Sequence, residues 1–368
     1  MNQKPLAIRH EVALSEFTTL ELGGPARNFF EAREAHEITA ALAWARARQL
    51  PVCPIGGGSN IVVADSGVPG LVLRLATRGV QRQAVPGGEI WDIAAGENWE
   101  AVAAASVAAG LAGIECLSGI PGSCGAASIQ NIGAYGQEIS EVLLEVAVLE
   151  IPTGRAAILT AGDLDLAYRN SRLKREAGRW IVTGMKIRLR SDNSPALRYP
   201  ELEEAVRARG PVTLASCRAA VLELRRSKSM VLDPTDPNRR SVGSFFLNPI
   251  VSEAEFCTLE KNARQNGLSL PDSGIPSFPG PNGGRKIPAA WLIEQSGFPK
   301  GLTAGGVGLS SRHTLALVHH GGSRTEELLD LARKIRQGVF GQFGVPLEAE
   351  PVLLGFLNDP WEATNSTA

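Results

Sequence analysis

The sequence predicts an α+β protein of two or three domains, and three observations carry that expectation. At 368 residues the chain exceeds what one hydrophobic core ordinarily organises. Short apolar runs of strand length are interleaved with amphipathic or alanine-rich stretches of helix length. Two small-residue turns, Pro54-Ile-Gly-Gly-Gly-Ser-Asn60 and a longer glycine-rich run over 118–136, lie between such elements.

Residues 31–49 carry Ile38, Leu42, Trp44 and Ala45 at roughly helical spacing, which predicts an amphipathic helix before a strand at 51–55. Residues 61–63 and 71–75 read as short strands, completing a small α/β unit. From Gly79 the texture changes: a strand at 90–94, an alanine-rich helix at 99–109, the glycine-rich run, then a strand at 142–151. A strand at 180–189, β-branched at its start and alternating through Lys186 and Arg188, closes this part. Residues 198–228 read as helical with an interruption at Gly210-Pro211. The passage Asp233-Pro-Thr-Asp-Pro-Asn238 marks a linker or surface loop. Beyond it, helices at 253–266, 289–295 and 326–340 and strands at 314–319 and 351–356 predict a second α/β unit. The proline- and glycine-rich stretch 268–284 is expected to be irregular.

Composition excludes several classes. A hydrophobic content of 44% and a formal net charge of −1 are those of a globular chain, not of a disordered or strongly basic one. The basic clusters at 169–175, 225–228 and 239–240 are short, which suits local anion contacts or solvated faces better than a polyanion track. Residues 1–17 are polar and charged, with no signal-peptide pattern, and no window is apolar enough to span a bilayer. These readings predict a cytoplasmic protein without nucleic-acid or membrane partners. Five scattered cysteines, Cys53, Cys116, Cys124, Cys217 and Cys257, lack C-x-x-C spacing and are expected to be free thiols; no metal site is expected.

The glycine turns carry the first functional signal. Gly56, Gly57 and Gly58 precede Ser59 and Asn60 in one. In the other, Gly122, Gly125, Ala126, Gly133 and Ala134 keep side chains small where a larger one would hold the backbone away from a ligand. Glycine reaches φ > 0 without steric penalty, so such runs can turn N–H groups toward an anion. Either run alone reads more readily as a tight turn than as a phosphate site. Together they point to a diphosphate held from two sides, and so to a dinucleotide. No Gly-x-Gly-x-x-Gly opens a helix with an acid about twenty residues on, so the unit is not a Rossmann one. No Gly-Lys-Ser/Thr follows either turn, which excludes a P-loop.

Ile-Pro-Gly-x-x-Gly followed by Ile-Gln-Asn-Ile-Gly-Ala-Tyr-Gly, after Gly-Gly-Gly-Ser-Asn, closely resembles the UDP-N-acetylenolpyruvoylglucosamine reductase family of bacterial cell-wall flavoenzymes. The resemblance runs from Thr18-Thr-Leu-Glu-Leu-Gly-Gly-Pro-Ala26 through Tyr168-Arg-Asn-Ser171 and Gly243-Ser-Phe-Phe-Leu-Asn-Pro249 to Leu347-Glu-Ala-Glu350. It implies an FAD-binding region of the vanillyl-alcohol-oxidase/PCMH type over about 20–192, with subdomains at 1–77 and 78–228 and a C-terminal substrate-binding domain at 229–368. It implies non-covalent FAD, held by 56–60 together with Ile120, Pro121, Gly122, Gly125, Ala126, Ile129, Gly133, Ala134 and Tyr135. NADPH would be the co-substrate and a monomer the expected state. The implied reaction reduces the enolpyruvyl ether of UDP-N-acetyl-3-O-(1-carboxyvinyl)-glucosamine to the lactyl ether of UDP-N-acetylmuramate, in peptidoglycan precursor synthesis.

That chemistry needs a cation or acid near the substrate carboxylate and a proton donor for the adjacent carbon. Arg169 matches the family's carboxylate-polarising arginine, whose fork meets both oxygens and stays charged. Ser244 matches the proton donor; its setting before two phenylalanines reads as a packed loop rather than a helix cap. Glu350 matches the third catalytic residue, although Pro351 stands where the family carries an aliphatic residue. Glu348, two residues earlier, is the rival assignment. Tyr168, Tyr199, Lys228, Asn248, Lys286 and Gln295 fall where the family contacts substrate, Tyr199 on a mobile loop, and each also reads as an ordinary turn or surface residue. Two other readings stay open. One is an oxidase of the same fold with flavin attached through Cys116 or Cys124, and the other is a non-catalytic nucleotide-sugar binder.

Overall fold

A computed structural model describes residues 6–271 and 274–362. Contacts divide the chain into two units. Met1–Ala13, Pro25–Gly58 and Val68–Leu232 make one, and Leu14–Gly24, Ser59–Gly67 and Asp233–Ala368 make the other. The C-terminal unit thus takes in two short segments from early in the chain, which contiguous domain ranges do not express.

Two larger sheets and the short pair Gly133–Ala134 and Gln137–Glu138 lie in the first unit. One runs in the order Arg9–Ala13, Pro25–Ala32, Val68–Leu75, Val52–Ile55, its first pair antiparallel and the others parallel. Helix Ala35–Arg46 buries Ile38, Ala41, Leu42 and Ala45 in a core with Phe30, Leu71 and Leu73. Its spacing of i, i+3, i+4 and i+7 gives one apolar face. The helix starts later than 31 because Glu31 and Ala32 end the preceding strand, and Glu34 then closes a capping box with Glu37.

The other sheet is antiparallel throughout, in the order Ala156–Thr160, Leu143–Glu150, Trp180–Arg190, Gly88–Ala94, Val80–Val85. Along Trp180–Arg190, Met185, Ile187 and Leu189 are buried while Arg188 and Arg190 are exposed, the period-two pattern of a half-buried strand. Helix Trp99–Ala108 seats Trp99 in the core, where the indole N–H donates to Leu117 O at 3.0 Å. The stretch expected to be helical over 198–228 forms Pro200–Arg207 and Leu214–Ser227, parted at Gly210-Pro211. Inside the glycine-rich run lies a helix that composition conceals, Cys124–Gln130.

In the second unit helix Thr325–Phe343 buries Leu328, Ala332, Ile335 and Val339 in a core shared with Phe245, Phe246, Leu292 and Leu317. Helices Glu253–Gln265 and Ala289–Gln295 pack against it. The last strand, Val352–Leu354, runs parallel to Ile61–Val63. Asp65 caps the long helix, accepting from Thr325 N at 2.8 Å and Glu326 N at 3.0 Å, while Thr325 Oγ1 donates to Val63 O at 2.7 Å. These bonds are why Ser59–Gly67 belongs to this unit. In the stretch 268–284, expected to be irregular, Phe278–Pro279 pairs with Arg285–Lys286; residues 272 and 273 lie outside the described residues.

Candidate active site

The two glycine turns meet in the first unit. A Cβ on Gly57 would stand 3.0 Å from Gly122 Cα, and one on Gly56 would overlap Ser123 Oγ. At Gly57 backbone therefore faces backbone, and the two turns pack too closely for a side chain at either glycine. The donors are partly committed: Cys124 N gives to Glu97 O and Gly125 N to Ala95 O, both at 2.9 Å. Gly125 packs closely too, since its Cβ would lie 2.8 Å from Ala95 Cβ. Ile129 O accepts the Ser171 hydroxyl at 2.7 Å, tying the run to the segment that carries Tyr168 and Arg169.

Arg169 sits at the tip of a two-residue turn closed by 3.0 Å bonds between Ala167 and Asn170. Its φ of +50° lies in the left-handed region that glycine or asparagine usually takes, a strain of the kind that clusters at functional sites. The surroundings fix it there. Its guanidinium donates to Asn131 O at 3.2 Å and to Gly133 O, and Lys174 Nζ holds its own carbonyl at 3.0 Å. A Cβ on Gly133 would come within 2.9 Å of Arg169 Nη1, so glycine there lets the side chain cross. Glu138 lies 3.9 Å from Nη1 and accepts from Asn131 Nδ2 at 2.9 Å. Asn131, which also donates to Ala167 O at 2.8 Å, is the hub of this network. The sequence reading did not single it out. It ends helix Cys124–Gln130 in the left-handed conformation that asparagine tolerates, at φ +43°, and with that helix concealed nothing in the sequence signalled it.

Tyr135, also left-handed at φ +50°, meets Tyr199 edge to face, ring centroids 6.0 Å apart. Burial pushes the Tyr135 phenol up to about 12 and raises that of Tyr199, so both remain neutral donors. Lys228 Nζ lies 5.9 Å from the Tyr135 centroid and is paired with Glu201 at 2.7 Å. Arg225, one turn earlier on the same helix, was read only as part of a basic cluster. Its Nη2 donates to Met230 O at 2.7 Å, its Nε is buried with no partner among the described residues, and burial pushes its pKa down to about 10, leaving it charged near neutrality. Gly119, at φ +76°, makes room for it: a Cβ there would lie 3.2 Å from Arg225 Nε.

In the second unit Ser244 lies in a packed loop flanked by the buried Phe245 and Phe246. A short ladder joins this loop to the C-terminal segment. Glu350 N donates to Phe245 O and Leu247 N to Glu348 O, both at 2.9 Å. Glu350 is thereby set across the ladder from the residue that follows Ser244. Glu350 is half-buried and Glu348 exposed. Asn60 clasps the same segment, its Nδ2 3.5 Å from Glu350 O and its carbonyl accepting from Val352 N at 3.0 Å. Asn248 Oδ1 accepts from Ala289 N at 2.8 Å and so anchors the start of helix Ala289–Gln295. Lys286 is half-buried on a strand paired with Ile250, and Gln295 is exposed at the helix end.

The paired glycine turns and the buried Arg225 Nε, which has no partner among the described residues, fit a flavin dinucleotide. Cys116 and Cys124 do not suit covalent attachment, because both are fully buried; the contact with Cys217 and burial raise the Cys116 thiol, and burial raises that of Cys124. Comparisons with known proteins agree. Residues 26–160 match the family described as FAD binding domain, and residues 234–354 match UDP-N-acetylenolpyruvoylglucosamine reductase, C-terminal domain. The UDP-N-acetylenolpyruvoylglucosamine reductase of Saccharopolyspora erythraea is 46% identical over 348 residues, covering 93% of this chain and 94% of that protein. That of Streptomyces coelicolor is 42% identical over 357 residues, covering 96% and 91%. The crystal structure of the reductase from Thermus caldophilus aligns with a TM-score of 0.63 at 25% identity, over 95% of this chain and 99% of that one. Fold and site together define a flavin-dependent oxidoreductase: an FAD-binding region of the vanillyl-alcohol-oxidase type followed by a substrate domain. More particularly, the chain belongs to the UDP-N-acetylenolpyruvoylglucosamine reductase family.

Proposed function

We propose that this enzyme reduces UDP-N-acetyl-3-O-(1-carboxyvinyl)-glucosamine to UDP-N-acetylmuramate with NADPH, in peptidoglycan precursor synthesis, through Arg169, Ser244 and Glu350. The reaction follows from the family. The observation that supports the residue assignment is the 2.9 Å bond from Glu350 N to Phe245 O, which sets Glu350 beside the Ser244 loop. FAD, when bound, supplies the hydride chemistry between NADPH and the vinyl carbon.

Arg169 stabilises the negative charge that develops on the substrate carboxylate. Its side chain is only 17% exposed and its guanidinium is already oriented, so little reorganisation accompanies the reaction. Ser244 gives its hydroxyl proton to the carbon next to the carboxylate; an enolate carbon is basic enough to take it when the geometry is fixed. Glu350 donates a hydrogen bond to the developing enolate, a role that requires the neutral acid. Tyr168, Tyr199, Lys228 and Arg225 bind substrate or cofactor on the first unit, and Lys286 and Gln295 hold the nucleotide on the second.

The basic clusters are engaged within the protein, with Arg239 and Arg240 on Glu21, Arg172 on Glu176 and Arg175 on Asp165, which argues against a nucleic-acid partner. No described helix is long and apolar enough to cross a membrane. We place the enzyme in the cytoplasm as a monomer, which sedimentation and cell fractionation test. The reaction itself is tested without oxygen: NADPH bleaches the bound flavin, and the enolpyruvyl sugar nucleotide restores its colour. Bleaching without recovery would leave a flavoprotein with a different substrate.

A further inference from the structure

The left-handed backbone of Arg169 is not explained by the turn that carries it. The bonds closing that turn run between Ala167 and Asn170, so the Arg169 carbonyl is held from elsewhere. An arginine at φ +50° persists only where its surroundings over-determine it. The end of helix Cys124–Gln130 and the residues after it supply that frame. Ile129 O accepts from Ser171 Oγ at 2.7 Å, and Gln130 Oε1 from Lys174 Nζ at 3.0 Å. Asn131 Nδ2 donates to Ala167 O at 2.8 Å, and the carbonyls of Asn131 and Gly133 take the guanidinium.

Lys174 is the member of this frame that reaches the strained backbone. Its Nζ also donates to Arg169 O at 3.0 Å, so one ammonium joins that carbonyl to the buried Gln130. Its neighbours on the short helix Arg172–Arg175 behave differently. Arg172 is directed to Glu176 at 2.8 Å and Arg175 to Asp165 at 2.6 Å, whereas Lys174 is half-buried and turned to the glycine-rich run. The Lys174 backbone is tied to the same run, since its N–H donates to Ser171 Oγ at 3.1 Å. An ammonium offers three donors on a compact head, and its bonds are stronger than those of a neutral donor.

We infer that Lys174 is a positioning residue for Arg169: by bridging the Arg169 carbonyl to Gln130 it holds the left-handed turn, so that the guanidinium stays aimed for a substrate carboxylate. The inference rests on the assignment of Arg169 to that carboxylate and extends it to the group that keeps the turn in place. Without the bridge, residue 169 relaxes toward ordinary backbone and its side chain swings away. The loss then falls on recognition of the carboxylate, and the rest of the sugar nucleotide and NADPH are bound as before.

The test compares two ligands of the FAD-loaded enzyme by calorimetry: UDP-N-acetylmuramate, which carries the carboxylate, and UDP-N-acetylglucosamine, which does not. Lys174→Met keeps the apolar stem and drops the ammonium. It is expected to weaken UDP-N-acetylmuramate about tenfold, with UDP-N-acetylglucosamine binding, FAD content and bleaching by NADPH at parental values. In an Arg169→Ala background the same substitution should add nothing, because residues that act through one another are not additive. Equal weakening of both ligands, unchanged binding in folded yellow protein, or the same loss in both backgrounds would overturn the bridge. If Arg169→Ala itself leaves the preference for the carboxylate intact, the assignment of Arg169 falls and the inference with it, while recovery of flavin colour in the parent keeps the reaction. A parent that never recovers refutes the function instead, and the two binding constants still judge the bridge. Should Lys174→Met not fold, nitrogen NMR of the parent with isotopically labelled lysine decides. A Lys174 ammonium protected from solvent exchange supports the bridge, and one exchanging as fast as that of the exposed Lys261 refutes it.

Discussion

Ser244 and Glu350 are assigned to the second half-reaction only, because neither is needed to move hydride from NADPH to the flavin. Ser244→Ala should bleach normally with NADPH and fail to recover with the sugar nucleotide. Glu350→Gln keeps a weaker donor and should slow recovery within the range of acid–base contributions, about 10²–10⁴-fold. Glu348→Gln is the control and should be near neutral, since Glu348 is exposed while Glu350 is half-buried. Stopped-flow absorbance of the two half-reactions checks all three, and a sensitive Glu348 with a tolerant Glu350 would reverse the assignment. Arg169 was legible from its motif, but not its left-handed backbone or the Asn131 and Gly133 carbonyls that hold it. Those depend on where residues some 36 to 38 positions away fold back.

At the scale of elements, the glycine turns and the caps give contrasting predictions. Gly57→Val places side-chain atoms against the Gly122 backbone and should yield folded protein with little FAD, read from the ratio of flavin to protein absorbance. Gly125→Val instead collides with Ala95 and should lower thermal stability as well as FAD content. Equal melting temperatures for the two would contradict this division. Asp65→Ala removes the cap from helix Thr325–Phe343 and should cost about 1 kcal/mol, seen as a lowered denaturation midpoint at unchanged m. Periodic elements were readable: helix Ala289–Gln295 and strand Ile61–Val63 fall where the pattern puts them. Strands Val80–Val85 and Ala156–Thr160 were not, because they are edge strands that bury almost nothing and are held by backbone pairing.

For the whole molecule, FAD binds the folded chain and not the unfolded one, so removing it should lower apparent stability. At free FAD one hundred times its dissociation constant the difference is about 2.7 kcal/mol. Calorimetry of apo- and holoprotein should show the shift, and identical melting curves would mean that the cofactor contributes nothing to the fold. NADPH and the sugar nucleotide are expected to use one flavin face in turn, as no second dinucleotide fingerprint appears in the sequence. Parallel initial-rate lines with inhibition by excess sugar nucleotide would bear this out, and intersecting lines would refute it.

By itself the sequence determined the α+β class, the flavin-binding turns, the family and the residue types at the centre of the chemistry, because these rest on local pattern and contiguous motifs. The tertiary structure alone decided which residues act together. Asn60 was grouped with a phosphate turn and proves to clasp the Glu350 segment. Asn248 was read as a loop or substrate residue and proves to anchor a helix. Gly125 was read as ligand clearance, and the fold sets it against Ala95. Lys174 and Arg225 were read only as members of basic clusters. The physical reason is common to them: each is defined by a bond, a clash or an orphaned donor involving residues far away in sequence, and such partners exist only once the chain has folded.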